Sequence, residues 1–416
     1  FFFFFLFLWA VLGEISISCF SHPTATPLIL DPWGRVVYIC TADMWWRPRW
    51  MCRNNSARER WNLSRNGEIL LRLQVSFSPG QSINPIRMFT LREIQEATNT
   101  SIMARGGVSF HAWYKYKWGT LDGRRVAIKD MNPISGVPPR AKLAEVVISE
   151  IAILSNIHHR NVVRLVGCCL ETPVPLLVHE AITVPDGNLQ HHMQLWATKT
   201  VETPPLSTRL RIAIDVADAL NYIHSFTSRP IVHKDVHAGN ILLDEDYNAK
   251  LSDFSLSVPI PSGQTHVATD TVTSSYGLID PEYATTGVVT EKVDVYAFGV
   301  LLIELLRGET FGAFLVYRER ECGSHFEMLA MWTQVTQEPL VNRVEFTVSE
   351  KYLALKEEFL VNLVGDAAAA LGDAEGEADH IRAVAELALQ CARPTAHERP
   401  TMKEVTRQLR RSCVAP

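Results

Sequence analysis

Lys129, Glu150, Asp235, Asn240 and Asp253 are the residues whose types and spacing could do chemistry. VAIK ends in Lys129 and SEIAIL places Glu150 twenty-one residues later; IVHKDVHAGNILL holds Asp235 and Asn240 five apart, and KLSDFSLS puts Asp253 eighteen beyond Asp235. A lysine on a flexible stem is poorly aimed alone, so an ion pair with Glu150 would hold its ammonium in place. Asp253 and Asn240 offer the carboxylate and carbonyl oxygens that a hard cation such as Mg2+ prefers. Asp235 could accept the proton of a reacting hydroxyl. Any one of these residues is a weak signal; their order, contexts and spacings together are a strong one.

Positioning such a set takes strands and helices in a definite order. WYKYKWGTLDGRRVAIKDM is strand-like, with Asp122-Gly123 as a hairpin turn between β-rich runs. KLAEVVISEIAILSNI follows with apolar residues at helical spacing, and VVRLVGCCLE and PLLVHEAI are two further strands. After Leu206 the pattern is mostly helical, clearest in RLRIAIDVADALNYIHSF and VDVYAFGVLLIELLRG. A strand-rich half followed by a helix-rich half predicts an α+β fold. Upstream, NGEILLRL has helical spacing, and Thr90 three residues before Glu93 forms a capping box for a short helix.

Composition narrows the class. Of 416 residues, 47% are apolar and 20% charged, as in an ordinary globular protein, and the net charge of −5 is no polyelectrolyte signal. No basic stretch is interleaved with aromatics, which argues against nucleic-acid binding. Eight scattered cysteines are too few for a disulfide framework, no CxxC pair has zinc spacing, and Cys168-Cys169 sits in an apolar run as two buried thiols. A reducing cytosol fits this usage. FFFFFLFLWAVLG opens the chain without charge. It has three readings: a signal-peptide core, a truncated anchor with Arg35, Arg47, Arg49 and Arg53 on its cytosolic side, or translated non-coding sequence.

The motifs resemble those of eukaryotic protein kinases, and NGEILL, NPIRMFTLREIQEATN, HHRNVVRLVGCCLETPVPLLVHE, IDPEYATTG, DVYAFGVLLIELL and ERPTMKEV are similar to plant receptor-like kinases of the wall-associated-kinase-like group. WYKYKWG and KLSDFSLSVPIPSGQTHV resemble the ZED-related subset, whose members are often pseudokinases that pair with immune receptors. The resemblance covers residues 66–412. It implies a bilobal kinase fold in these divisions: an apolar segment (1–20), an unassigned stretch (21–65), a juxtamembrane-like segment with a short helix (66–98), an N-lobe and hinge (99–182) and a C-lobe (183–412). It implies ATP and Mg2+ as cofactors, with Lys129 on the inner phosphates, Asn240 and Asp253 on the metal, and Asp235 as the base. Gly106 and Gly107 would approach the phosphates, His179 would stand at the back of the adenine pocket, and backbone groups of Glu180, Ala181 and Ile182 would hydrogen-bond the adenine. Asp294 would hold the catalytic-loop backbone, and Glu282 would pair with Arg399.

Four departures touch phosphate handling. His111, Trp113 and Tyr114 stand where the glycine-rich loop expects small residues. Ser255 replaces the glycine after Asp253-Phe254 and restricts the backbone. His237 replaces a permanent cation two residues after Asp235, and Lys234 replaces an arginine fork. Several such losses multiply where catalysis depends on positioning and electrostatics. The expectation is a weak or inactive kinase acting as a signalling adaptor for a receptor kinase or immune receptor; the alternative is an active Ser/Thr kinase with protein substrates. The hydroxyls of Thr271, Thr273, Ser274 and Ser275 are either modification sites or an ordinary polar loop. The kinase domain is expected in the cytoplasm, and at the plasma membrane if the apolar segment is an anchor.

Overall fold

The structure is a computed structural model that describes residues 28–30, 36–38, 55–77, 85–99, 115–131, 140–182, 187–269, 279–310 and 375–413. The chain divides into two compact units, Phe1–Asn62 and Leu63–Pro416. In the first, β1 (Leu28–Leu30) pairs antiparallel with β2 (Val36–Tyr38). The apolar residues 1–20 lie outside the described residues, among which no helix is long and apolar enough to cross a membrane.

Helix α1 spans Asn55–Phe77. The helical spacing of NGEILLRL is borne out, and the helix starts eleven residues before Asn66. Within the second unit, Asn66 Nδ2 donates to the carbonyls of Leu170 (2.9 Å) and Thr172 (3.0 Å), and Leu70 joins the main apolar core. Helix α2 (Leu91–Asn99) has the expected capping box: Thr90 N donates to Glu93 Oε2 at 2.7 Å, and Glu93 N to Thr90 Oγ1 at 3.2 Å.

The strand-rich lobe is a four-stranded antiparallel sheet. It contains β3 (Lys115–Leu121), β4 (Arg124–Asp130), β5 (Leu165–Cys169) and β6 (Leu176–Glu180), in the order β3-β4-β6-β5. The turn from β3 to β4 puts both Asp122 (φ 49°) and Gly123 (φ 73°) in the left-handed region, which matches the right-handed strand twist. Helix α3 (Arg140–Leu154) buries Leu143, Val147, Ile148 and Ile151, a stripe at helical spacing that joins the main core with Leu177 of β6.

The second lobe is helical. It holds α4 (Leu189–Ala197), α5 (Leu206–Ser225), α6 (Pro281–Thr286), α7 (Lys292–Arg307), α8 (Glu375–Cys391) and α9 (Met402–Cys413). Between α5 and α7 run the short strands β7 (Ile231–Val232), β8 (Ile241–Leu243), β9 (Ala249–Leu251), β10 (Val258–Pro259), β11 (Val267–Ala268) and β12 (Val288–Val289). Helix α7 is apolar almost all round and is buried accordingly. At Gly299 a Cβ would come within 2.7 Å of Cys391 Cβ, so glycine is what lets α8 lie this close. The last carbonyls of α7, on Leu305 and Leu306, accept from Arg209 Nη1 at 2.6 and 2.7 Å. The α+β expectation is borne out: sheet and α3 on one side, helices on the other, with the candidate residues where the two meet.

Candidate functional site

Lys129 sits near the end of β4, in the middle of the sheet, opposite Leu177 on one side and Tyr116 on the other. Its side chain and that of Glu150, on the inner face of α3, are both 0% exposed. Lys129 Nζ lies 3.0 and 2.9 Å from Glu150 Oε1 and Oε2, and 2.8 Å from Asp253 Oδ1. Burial alone would lower the pKa of this ammonium; the two carboxylates outweigh it and raise it, so the lysine stays charged.

Asp253 adopts a left-handed backbone, φ 63°, which aspartate tolerates better than most residues. Phe254 behind it is buried, packs edge-on against His233 with ring centroids 4.7 Å apart, and donates its N–H to Glu150 Oε1 at 3.2 Å. Glu150 therefore holds the lysine and the Asp253 segment together. The left-handed residue of this segment is Asp253 and not Ser255, so the restriction expected of serine has no strained backbone to act on.

The loop bearing Asp235 hangs from α7. His233 N and Lys234 N donate to Asp294 Oδ2 and Oδ1, both at 2.8 Å, and His224 Nε2 lies 2.8 Å from the same carboxylate. Lys234 places its ammonium over the Tyr283 ring, 5.4 Å from the centroid. Asn240 Nδ2 donates to the Asp235 carbonyl (2.9 Å) and to Asp235 Oδ2 (3.0 Å), while Asn240 Oδ1 is buried with no hydrogen-bond partner. Burial pushes the Asp235 carboxyl up, but the facing His237 imidazole outweighs it and holds the group below the usual carboxylate range. His237 Nδ1 accepts from Gly239 N at 3.0 Å, so in the neutral ring Nε2 carries the proton; Nε2 lies 3.6 Å from Asp235 Oδ2.

Behind the cleft, His179 is buried, and burial reinforced by Lys129 pushes its pKa down to about 3. At the hinge, Glu180 N donates to Arg164 O (3.1 Å) and Ala181 N to Arg125 O (3.4 Å), so of the expected hinge backbone groups these two N–H donors are used inside the protein. Gly106, Gly107, His111, Trp113 and Tyr114 lie outside the described residues, as do Thr271, Thr273, Ser274 and Ser275 and most of the segment 312–380.

One expected pair is corrected. Arg399 pairs with Asp280, Nη1 to Oδ2 and Nη2 to Oδ1, each at 2.7 Å, and not with Glu282. Asp280 N-caps α6 and faces the guanidinium as a two-pronged acceptor, whereas Glu282 accepts from Ala396 N at 2.6 Å. Both contacts still tie this segment to the helical lobe.

Sequence reasoning missed Tyr116. It packs against the core beside Lys129, and burial raises its phenol pKa. The signal was there: a two-residue turn at 122–123 pairs Leu121 with Arg124, and counting outward pairs Tyr116 with Lys129. His224 and Asp280 carried no local signal.

Comparison with known proteins agrees with this geometry. The family described as protein tyrosine and serine/threonine kinase matches residues 104–337. Proteins of Arabidopsis thaliana are among those the chain is similar to. Wall-associated receptor kinase-like 18 is 35% identical over 97% of this chain and 46% of that protein. Wall-associated receptor kinase-like 1 is 36% identical over 88% and 44%, and wall-associated receptor kinase-like 6 is 42% identical over 62% and 39%. The chain thus spans less than half the length of the curated relatives it matches.

Proposed function

Because the chain belongs to the protein tyrosine and serine/threonine kinase family, we propose that it binds Mg-ATP between its lobes, transfers phosphate weakly, and signals chiefly as a pseudokinase adaptor. The observation that carries this reading is a buried Lys129–Glu150–Asp253 cluster standing beside a loop in which His237 replaces the expected permanent cation.

The donor set fits the cofactor. Asn240 Oδ1 is a buried oxygen with no hydrogen-bond partner, as a ligand atom for a hard cation would be, and Asp253 supplies a carboxylate from the facing segment. Lys129 would hold phosphate oxygens, Glu150 would aim it, and Gly106, Gly107 and the backbone of Glu180, Ala181 and Ile182 would line the rest. Bound Mg-ATP supplies the transferable phosphoryl group. Asp235, kept ionised and held by Asn240, would accept the proton of the receiving hydroxyl. His237 turns Nδ1 to its own loop and Nε2 to Asp235, so this position offers an imidazole and not a permanent cation to charge developing on the phosphoryl oxygens. The likeness to the ZED-related subset supports a receptor kinase or immune receptor as partner, with the kinase domain on the cytoplasmic side of the plasma membrane.

A second reading, an active Ser/Thr kinase, is favoured by the ionised Asp235 and the complete set of acid, base and metal-ligand residues. Nucleotide binding and autophosphorylation of the full chain decide between them, with Asp253→Asn as control. The adaptor reading expects Mg-ATP binding with turnover near background, raised about tenfold or more by His237→Lys. Wild-type turnover in the ordinary kinase range of about 1–100 s⁻¹, abolished in Asp253→Asn, would overturn it.

A further inference from the structure

The residue after Phe254 does more than occupy a glycine position. Ser255 Oγ donates to Asp253 Oδ1 at 2.6 Å, and Ser255 N approaches the same oxygen at 3.2 Å. A hydroxyl-to-carboxylate bond of this length is charge-assisted, about twice as strong as a neutral one. A glycine keeps the amide contact and lacks the hydroxyl, so this chain holds a bond that the glycine it replaces could not make.

That bond matters because of the other donor to Asp253 Oδ1. Lys129 has three N–H donors, and its ammonium already faces three carboxylate oxygens: two on Glu150 and one on Asp253. Any phosphate oxygen that draws on this ammonium must compete with one of them. The bond to Asp253 is the one that can be released without freeing the carboxylate, because Ser255 still holds Oδ1. Glu150 has no such substitute: its remaining contact is the longer one from Phe254 N, at 3.2 Å.

We propose that Ser255 is a positioning residue that keeps the Asp253 carboxylate in one orientation when Lys129 turns from it to a phosphate. This rests on the reading of the cleft as a Mg-nucleotide site. With Oδ1 still held by a hydroxyl and an amide after release of the ammonium, the Asp253 carboxylate keeps one orientation towards a cation bound in the cleft. The same hydroxyl pins the left-handed Asp253 and so keeps Phe254 seated against His233.

The test compares wild type, Ser255→Ala, Ser255→Gly and Ser255→Thr in the full chain, measuring affinity for a fluorescent ATP analogue with Mg2+ and with chelator. Amide hydrogen exchange across residues 250–258 is read in the same proteins without nucleotide. The expected result is a loss of about tenfold in Mg2+-dependent affinity in the Ala and Gly variants, as for one charge-assisted hydrogen bond. Metal-free affinity stays within about twofold, and Thr restores the Mg2+-dependent affinity. Exchange at the Phe254 and Ser255 amides rises in Ala and Gly and returns to wild type in Thr. Ala and Gly variants that match wild type in both metal dependence and exchange overturn the proposal. If wild type binds no nucleotide, the Mg-ATP reading fails on its own, and the exchange series decides: a rise rescued by Thr supports the positioning bond, and no rise overturns it.

Discussion

The two sides of the cleft are built on different physics. On the proposed nucleotide side, Lys129, Glu150 and Asp253 are almost without solvent and solvate one another across 2.8–3.0 Å. On the proposed acceptor side, Asp235, His237 and Asn240 are buried too but bond mainly within their own loop, through Gly239 N and the Asp235 carbonyl, and that loop hangs from Asp294 of α7. Removing one member of a buried ion pair strands an uncompensated charge, so the first group is anchored by folding as well as by chemistry. The second can exchange a cation for an imidazole with little disturbance to the fold. Intact ion-pair residues in such a domain therefore testify to the fold first, and the proposed function puts the loss of activity in the loop of Asp235 and His237.

The largest effect that would break this contrast is Glu150→Ala. It leaves Lys129 facing only Asp253 of the two carboxylates and removes the acceptor of Phe254 N, with an expected loss of about 3–5 kcal/mol in urea unfolding. A loss under about 1 kcal/mol would mean that the cluster is not held by folding.

Next comes pH. His179 in the native state has its pKa depressed to about 3, below the unfolded value near 6.5, so the unfolded chain binds the extra proton first and stability falls as pH falls between those values. From pH 7 to pH 5 this group alone removes about 2 kcal/mol. Buried His233, shifted in the same direction, adds to it. His179→Leu should flatten the urea midpoint against pH, and an unchanged slope would sink the assignment.

The smallest stability effect belongs to the acceptor side. Asp235→Asn keeps a carbonyl oxygen for Asn240 Nδ2 and should change stability by no more than about 1 kcal/mol. If it destabilises as strongly as Glu150→Ala, the two sides do not differ in kind.

Much of this was legible in the sequence because it is local or periodic. The capping box at Thr90 and Glu93, the Asp122-Gly123 turn, the buried stripe of α3 and the largely apolar α7 follow from residue types at fixed offsets. The pairing of Lys129 with Glu150 and the tether of the Asp235 loop to Asp294 were legible through the resemblance to protein kinases, since neither is local. The partner of Arg399 was less legible, since Asp280 and Glu282 both offer carboxylates and the choice depends on how α6 is capped and turned. Asn66 reaching Leu170 and Thr172 across more than a hundred residues leaves no local pattern at all.

The sequence by itself determined the order of strands and helices and the identity of the groups that meet between them, because backbone periodicity and charge chemistry act over a few residues. Tertiary structure alone decided which oxygen each donor finds: Lys129 on three carboxylate oxygens, Ser255 on Asp253 Oδ1, His237 turned into its own loop. Hydrogen bonds and buried ion pairs depend on distance and direction to within tenths of an ångström. Packing from far along the chain sets those quantities.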